Sequence, residues 1–200
     1  MAAEGGRMRG IKLSKVCVFF APGYEEIEAL AVVDLLRRAG IDTDMVSVTE
    51  EYEVTSSHGV TVRMDKLFHE VDFEMTDMMI LPGGMPGTKN LEASVPLMEA
   101  LDGFYSEKKY IGAICAAPSI LGHRGMLKGR KACSFPEFEN HLEGAEVTKS
   151  PAEISDFIIT GRGMGCAVDF GLAVVEKFQG KEAAAALADK IVYEHYQERP

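Results

Sequence analysis

The chain has 200 residues, of which 46% are hydrophobic and 26% charged, a composition typical of one globular domain and unlike that of disordered chains. Its 21 Lys and Arg residues against 31 Asp and Glu residues give a formal net charge of −10, which disfavours nucleic acid as the main partner. No apolar run approaches the roughly 20 residues that cross a bilayer, so we expect a cytoplasmic protein that binds no membrane.

The N-terminal residues 1–13 carry scattered charge and no apolar core of the signal-peptide kind, so a loose tail is expected there, followed by one domain over residues 14–200. The four cysteines are far apart and form no CxxC pair, and no histidine stands near them at metal-ligand spacing. Neither structural zinc nor a disulfide framework is therefore expected. GRGMG over residues 161–165 lacks the spacing of a dinucleotide-binding fingerprint, and no cofactor is predicted.

In the first half of the chain, short apolar runs alternate with amphipathic stretches. Val16–Phe20 is a continuous apolar run closed by Pro22 and Gly23, as expected for a strand buried on both faces. Glu25–Ala39 has apolar residues at helical spacing, acids in its first turn and arginines in its last, which indicates a helix. The next predicted elements are strands over Ile41–Val48, Asp77–Leu81 and Tyr110–Ile114, a helix over Leu91–Tyr105 and a hairpin over Val54–Met64.

The second half contains shorter strand candidates and two closing helices. The strand candidates are Lys131–Ser134, Glu146–Lys149 and Phe157–Thr160, and the helices are Ala167–Phe178 and Lys181–Tyr196. The alternation of strand and helix predicts an α/β fold with a doubly wound, mostly parallel sheet sandwiched by helices, a flavodoxin-like three-layer α/β/α arrangement.

The segment YIGAICAAPSILG, residues 110–122, runs from a predicted strand directly into a helix with Cys115 at the junction. Small residues at Ala113 and Ala117 give the small-x-nucleophile-x-small pattern of a nucleophile elbow. Such a turn exposes the sulfur at the carboxyl edge of the sheet and beside a helix N-terminus, which would lower the thiol pKa. On the pattern alone, an inert cysteine in an alanine-rich turn is an equal alternative.

Three glutamates, Glu25, Glu26 and Glu28, stand at the start of the first predicted helix, at the same edge of the sheet. The simplest interpretation is that they stabilise the helix dipole. Glu28 lies between Ile27 and Leu30 and could instead face inward. Burial there would raise its pKa and let it donate a hydrogen bond to a thiolate.

The segment LPGGMPG, residues 81–87, follows a predicted strand with two glycines, Gly83 and Gly84. Glycine lets the backbone approach a substrate closely and turn an amide N–H toward it. That amide could be one half of an oxyanion hole, with the N–H of Ala116 as the other half. A plain strand-to-loop turn is the alternative.

Taken in order, these segments resemble the DJ-1/PfpI family of the class I glutamine-amidotransferase-like superfamily. The matching features are EEIEAL after the first strand, LPGG after the third and AICAAP at the elbow, with RRAGI, ITGRGMG and QGKE at other points of the chain. The resemblance covers about residues 14–195 and is strongest to the DJ-1 or ThiJ branch. It implies the three-layer fold and, usually, a homodimer.

The resemblance also implies a site. The family's nucleophilic cysteine aligns with Cys115, and its protonated glutamate aligns with Glu28. Its backbone donors fall on Gly84 and Ala116, and Arg162 matches an arginine that contacts anions near the cysteine. Activities attributed to the family are cofactor-independent glyoxalase action on methylglyoxal, deglycation of proteins, chaperone behaviour and sensing of oxidative stress.

Two positions depart from the family pattern. The protease-like branch carries His directly after the cysteine, where this chain has Ala116, and a His near the DJ-1 nucleophile falls on Phe135. Because no Cys–His pair is recognisable, peptide hydrolysis is not expected, and Glu28 must supply the acid–base chemistry. His123 lies two helical turns beyond Cys115, and we expect a surface or core role for it.

Three functions therefore remain open. The favoured one is an enzyme that uses Cys115 on a small reactive carbonyl such as methylglyoxal. The alternatives are a redox sensor or chaperone using the same oxidisable cysteine, and a PfpI-type hydrolase. Turnover of a glyoxal by the wild type and by Cys115→Ala would separate them.

Overall fold

The computed structural model describes residues 14–198. Its strands are β1 Lys15–Phe20, β2 Asp42–Ser47, β3 Glu53–Thr55, β4 Thr61–Arg63, β5 Lys66–Leu67, β6 Met78–Leu81, β7 Tyr110–Ile114, β8 Lys131–Ala132, β9 Glu146–Val147, β10 Ala152–Ser155 and β11 Ile158–Gly161. Seven of them form the central sheet in the order β10-β11-β7-β6-β1-β2-β5. Every pair in this sheet is parallel except β10 with β11.

The helices are α1 Glu26–Arg38, α2 Gly87–Ala93, α3 Val95–Ser106, α4 Pro118–His123, α5 Ala167–Gln179 and α6 Lys181–Lys190. The start of α1 shows how the sequence sets a helix end. The Glu25 side chain accepts a hydrogen bond from the Glu28 backbone N–H at 2.6 Å, which satisfies one of the free donors of the first turn. Arg37 and Arg38 occupy the last turn, where the helix dipole favours cations.

The sheet is covered on both faces, so its central strands β1, β6 and β7 are largely apolar. In β1, Val16, Val18 and Phe20 pack under α1, α5 and α6, while Cys17 and Phe19 pack under α3 and α4 on the opposite face. This alternation on a fully buried strand is the reason for the continuous apolar run in the sequence. The structure confirms the predicted three-layer α/β/α fold.

The predicted helix over Leu91–Tyr105 is wrong as a single element. The chain breaks at Ser94, which is extended (φ −77°, ψ 99°) between α2 and α3. Pro96 lies in the first turn of α3, where its missing N–H costs nothing. In one continuous helix its ring would clash with the carbonyl four residues earlier.

Four further elements differ from the sequence prediction. The closing helix ends at Lys190 rather than Tyr196, because Val192 has a left-handed backbone (φ 59°) that a right-handed helix cannot contain. β10 was not predicted; it is an antiparallel edge strand, with Ile154 partly exposed. β8 and β9 form a separate parallel pair and are shorter than predicted, whereas β3 and β4 confirm the predicted hairpin.

The expected loose tail, residues 1–13, lies outside the described part of the chain. Within residues 14–198, no helix is long and apolar enough to cross a membrane.

Candidate active site

The order of the strands reverses beside β1, which brings several connecting segments to one edge of the sheet. From β1 the chain passes through α1 to β2 on one side, and it later returns to β6 on the other side of β1. Helices that follow β1 and β6 therefore cover opposite faces. Open α/β sheets bind ligands at the carboxyl ends of the strands where the order reverses in this way. The segments after β1, β6 and β7 meet at this edge.

Cys115 follows β7 directly and adopts a left-handed backbone conformation, with φ +65°. A residue other than glycine holds this conformation at a cost of about 1–3 kcal/mol, and such residues concentrate at functional turns. Hydrogen bonds hold the turn: the Cys115 N–H donates to the Gly161 carbonyl at 3.0 Å, and its carbonyl accepts from the Phe135 N–H at 2.8 Å. The thiol is partly exposed. The geometry is that of the predicted nucleophile elbow.

Glu28 comes from the first turn of α1 and points into the protein, with 1% of its surface exposed. Its carboxyl lies within hydrogen-bonding reach of the Cys115 thiol. Its Oε2 accepts from the Gly83 N–H at 3.1 Å, while its buried Oε1 accepts no hydrogen bond within the described structure. Oε1 is therefore free to carry the proton of the carboxyl.

Burial raises the pKa of Glu28 to about 7, because a carboxylate loses its hydration inside the protein. The nearby charge of Glu25 raises this pKa further, and the contact with Cys115 and the Gly83 amide lower it. Glu28 thus exchanges its proton near neutral pH, as a general acid–base group must.

The surroundings of Cys115 raise the pKa of its thiol, contrary to the low pKa expected from the sequence. Burial raises the thiol pKa first, and the negative charge and hydrogen bond of Glu28 raise it further. The backbone N–H groups of Ala116 and Gly84 act in the opposite direction. The Cys115 thiolate is repelled by Glu28 only when Glu28 is ionised. The two groups therefore titrate as a coupled pair that shares one proton. A thiolate is therefore favoured when Glu28 carries that proton.

The two glycines after β6 make the close approach possible. A β-carbon at Gly83 would lie 2.5 Å from Glu28 Oε2 and 2.6 Å from the β-carbon of Cys115. Gly84 has φ +91°, which glycine adopts without strain, and this turns its N–H toward the sulfur. Together with the N–H of Ala116, it gives two backbone donors at the point where a tetrahedral oxyanion would form.

Arg162 follows Gly161, but its guanidinium is directed to other groups. Its Nη2 lies 3.8 Å from Glu139 Oε1 and its Nη1 is 3.5 Å from the Lys149 carbonyl. Its anion contact near Cys115 stays a prediction.

Sequence reasoning missed one supporting residue, Glu25. Besides capping α1 with its side chain, its backbone N–H donates to the Gly83 carbonyl at 3.0 Å. Glu25 thus ties the helix that carries Glu28 to the loop that contacts it. The available signal is an acidic residue directly before a helix, which is typical of an N-cap. From the sequence alone, Glu25 is interpreted only as a partner of the helix dipole.

The DJ-1/PfpI family model matches residues 14–177. The chain belongs to the DJ-1/PfpI family. It is 34% identical over 180 residues to protein DJ-1 homolog B of Arabidopsis thaliana, a match that covers 89% of this chain and 41% of the relative. It is 31% identical over 178 residues to the glutathione-independent glyoxalase DJ-1 of Schizosaccharomyces pombe, covering 84% of this chain and 93% of the relative.

A solved structure of an oxidised Toxoplasma gondii DJ-1 is similar to this chain with a TM-score of 0.86 and 36% identity, covering 90% of this chain and 99% of that one. The chain spans less than half the length of two Arabidopsis DJ-1 homologues, 41% of one and 44% of the other.

The two positions at which the family resemblance places a histidine carry other residues in this chain. Position 116 is a buried alanine that offers only its N–H. Position 135 is a phenylalanine with 41% of its surface exposed, whose backbone N–H holds the Cys115 carbonyl. The ionisable partner of Cys115 that the contacts identify is Glu28.

Proposed function

We propose that this protein is a cysteine-dependent enzyme that converts small reactive dicarbonyls such as methylglyoxal into 2-hydroxy acids without an added cofactor. The observation that carries the proposal is the contact between Glu28, with its pKa near 7, and Cys115 at a strained elbow. The name of the fission-yeast relative supports the same chemistry.

In the first step, the Cys115 thiolate attacks the aldehyde carbon while Glu28 carries the shared proton. A carbon–sulfur bond forms and the carbonyl electron pair moves onto oxygen. The Gly84 and Ala116 N–H groups stabilise this oxyanion. Glu28 then gives its proton to the oxygen, which yields a hemithioacetal and leaves Glu28 as a carboxylate.

In the second step, the Glu28 carboxylate takes the proton from the former aldehyde carbon and returns it to the adjacent carbon, while the hydroxyl proton on the first carbon passes to the oxygen of the second. The first carbon becomes a thioester carbonyl and the second an alcohol. A pKa near 7 suits a group that both accepts and donates at neutral pH.

In the last step, water attacks the thioester carbonyl and gives one proton to the Glu28 carboxylate, and the carbon–sulfur bond breaks. The products are the 2-hydroxy acid and the Cys115 thiolate, so the overall change is the addition of one water molecule. No amine has to leave, and a histidine that protonates a leaving nitrogen is not required.

The test is turnover of methylglyoxal by tag-free protein, with the hydroxy acid measured as product. Cys115→Ala should abolish turnover, while Cys133→Ala should retain it, because Cys133 is fully buried against Thr160. Equal turnover by the wild type and Cys115→Ala would reject the proposal.

A second candidate function rests on the partial exposure of the same thiol. A peroxide would oxidise the Cys115 thiolate first to a sulfenate with release of water, and a second peroxide would give the sulfinate. A protonated Glu28 can donate a hydrogen bond to the new oxygen. Stable sulfinate at Cys115 in a protein that turns over no carbonyl substrate would favour this sensor function.

A further inference from the structure

A second group of ionisable side chains lies at a cavity beyond the Cys115 site. Glu92 from α2, His123 from the end of α4 and His141 from the 3-10 turn over Pro136–His141 meet at a cavity of about 330 Å³. Three separate elements thus bring two imidazoles and a carboxylate together, and the proposed reaction uses none of them.

The hydrogen bonds define how these groups face one another. His123 Nδ1 lies 2.7 Å from Glu92 Oε1, and His123 Nε2 lies 3.0 Å from His141 Nδ1. An ionised carboxylate can only accept, so His123 Nδ1 carries the hydrogen. In the neutral imidazole, Nε2 then presents its lone pair to His141. His141 Nδ1 therefore carries the proton between the two rings and donates it to His123 Nε2, and this hydrogen bond links the pair.

We propose that His123 Nε2 and His141 Nδ1 bind a divalent transition-metal ion of the Ni²⁺ or Cu²⁺ class, with Glu92 as a positioning residue behind His123. The metal would replace the proton between the rings, and His141 would carry its hydrogen on Nε2. A carboxylate behind a ligating histidine fixes its tautomer and strengthens it as a ligand.

The separation of the two nitrogens fits some ions better than others. Metal–nitrogen bonds of about 2.05 Å that span 3.0 Å enclose an angle of about 94°. This is near the 90° of tetragonal and octahedral ions and below the roughly 109° of tetrahedral Zn²⁺. Tetragonal nitrogen and oxygen sites are typical of Cu²⁺ and Ni²⁺.

The charges around the cavity favour a cation. Glu137 lines the same cavity, while Lys89 is the one cation with a fixed charge among the residues that line it. Two carboxylates therefore face one ammonium. The formal net charge of −10 adds a long-range attraction for cations.

A different cluster, formed by Glu25, Glu26 and His58, also brings possible ligand atoms together. In this cluster Glu25 caps α1, and Glu26 Oε2 lies 3.1 Å from His58 Nδ1. The His58 side chain is 70% exposed. This cluster therefore provides a matched control for the histidine pair.

The test is titration of the full, tag-free chain with Ni²⁺ by isothermal titration calorimetry, together with thermal unfolding. The wild type and His58→Gln should each bind one Ni²⁺ and unfold at a higher temperature with the ion present. His123→Gln and His141→Gln should lose both effects while unfolding cooperatively without metal. Glu92→Gln should weaken binding by about 10–100-fold, as removal of a carboxylate behind a ligand does.

Absence of saturable binding to the wild type would overturn the proposal. So would Ni²⁺ binding of undiminished affinity in both His123→Gln and His141→Gln, or a loss confined to His58→Gln. Unchanged affinity in Glu92→Gln would remove the positioning role given to that residue. Because neither Cys115 nor Glu28 is altered, these outcomes are independent of the carbonyl chemistry.

Discussion

Glu28 is the residue whose environment most changes its chemistry. Its carboxyl is sealed from water, accepts one amide hydrogen bond from Gly83 and faces the Cys115 sulfur. The inward orientation of Glu28 follows from the family resemblance, whereas spacing alone favours a helix-dipole role, and Ile27 beside it is 50% exposed. The raised pKa of Cys115 could not be inferred from the sequence, because it depends on how closely the carboxyl and the thiol approach in the fold.

Glu28→Gln should lower methylglyoxal turnover by about a hundredfold or more. Glutamine retains a donor toward the sulfur but cannot carry a proton from one carbon to the next, and general acid–base help is typically worth about 10²–10⁴-fold. The measurement is kcat for both proteins, with Glu26→Gln, in the same helical turn but bonded to His58, as the matched control. Turnover within threefold of the wild type would remove Glu28 from the mechanism.

The raised pKa of Glu28 should also make stability depend on pH. Between the ordinary value of 4.5 and about 7, the folded chain keeps a proton that the unfolded chain has lost. The free energy of unfolding therefore falls as the pH rises through this range, by on the order of 3 kcal/mol, and levels off above it. The protein with Glu28 and its Glu28→Gln variant are best compared in a Cys115→Ser background, so that the thiol does not titrate.

Urea unfolding from pH 4.5 to 8 would show the effect as a difference between Glu28 and Glu28→Gln proteins. The stability of the Glu28 protein should decline relative to that of the glutamine variant as the pH rises. Parallel curves would mean that Glu28 titrates normally in the folded state.

At the scale of elements, the loop after β6 sets how closely Glu28 and Cys115 approach each other and where the Gly84 amide lies. Gly83 leaves room for Glu28 and Cys115 to meet, and Gly84 turns its amide toward the sulfur. The sequence LPGG predicted a close backbone approach here. The break between α2 and α3 at Ser94 was missed, because apolar spacing continues through it and only Pro96 marks the new start.

Gly83→Ala should reduce turnover at least tenfold, since its β-carbon would displace both Glu28 Oε2 and Cys115. Overpacking of this kind also costs about 1–3 kcal/mol of stability. Gly103→Ala in α3 is the matched control: nothing lies within 4 Å of its β-carbon, so the variant should be more stable by about 0.5–1 kcal/mol. Kinetics and urea unfolding of both variants decide this; full activity in Gly83→Ala would show that the loop moves freely.

At the scale of the whole molecule, the order of the sheet brings the site together. The alternation of apolar runs and amphipathic stretches predicted the layers and the parallel strands. The neighbouring positions of β1, β6 and β7 follow from long-range pairing, which local spacing does not reveal. His123 and His141, 18 residues apart, meet for the same reason.

We propose that the protein is a homodimer, as the family resemblance implies. Ile27 is 50% exposed in the first turn of α1, and Leu30 and Ala31 beside it are only partly buried, which leaves an apolar strip for a second copy to cover. Sedimentation equilibrium should give about twice the 21.8-kDa chain mass. Ile27→Arg should shift the protein toward monomer, while Val95→Arg on the opposite layer should not. A wild-type monomer at micromolar concentration would contradict the proposal.

The proposed reaction requires that Cys115 carries the most reactive thiol of the chain. It also requires that the Cys115 sulfur is the atom that bonds to the carbonyl substrate. Brief labelling with iodoacetamide at neutral pH, followed by peptide mass spectrometry, tests both requirements when it is run with and without methylglyoxal. Cys115 should be alkylated before Cys17, Cys133 and Cys166, and methylglyoxal should slow labelling at Cys115 alone. Faster labelling of Cys166, the other partly exposed cysteine, or labelling of Cys115 that methylglyoxal leaves unchanged would contradict the account.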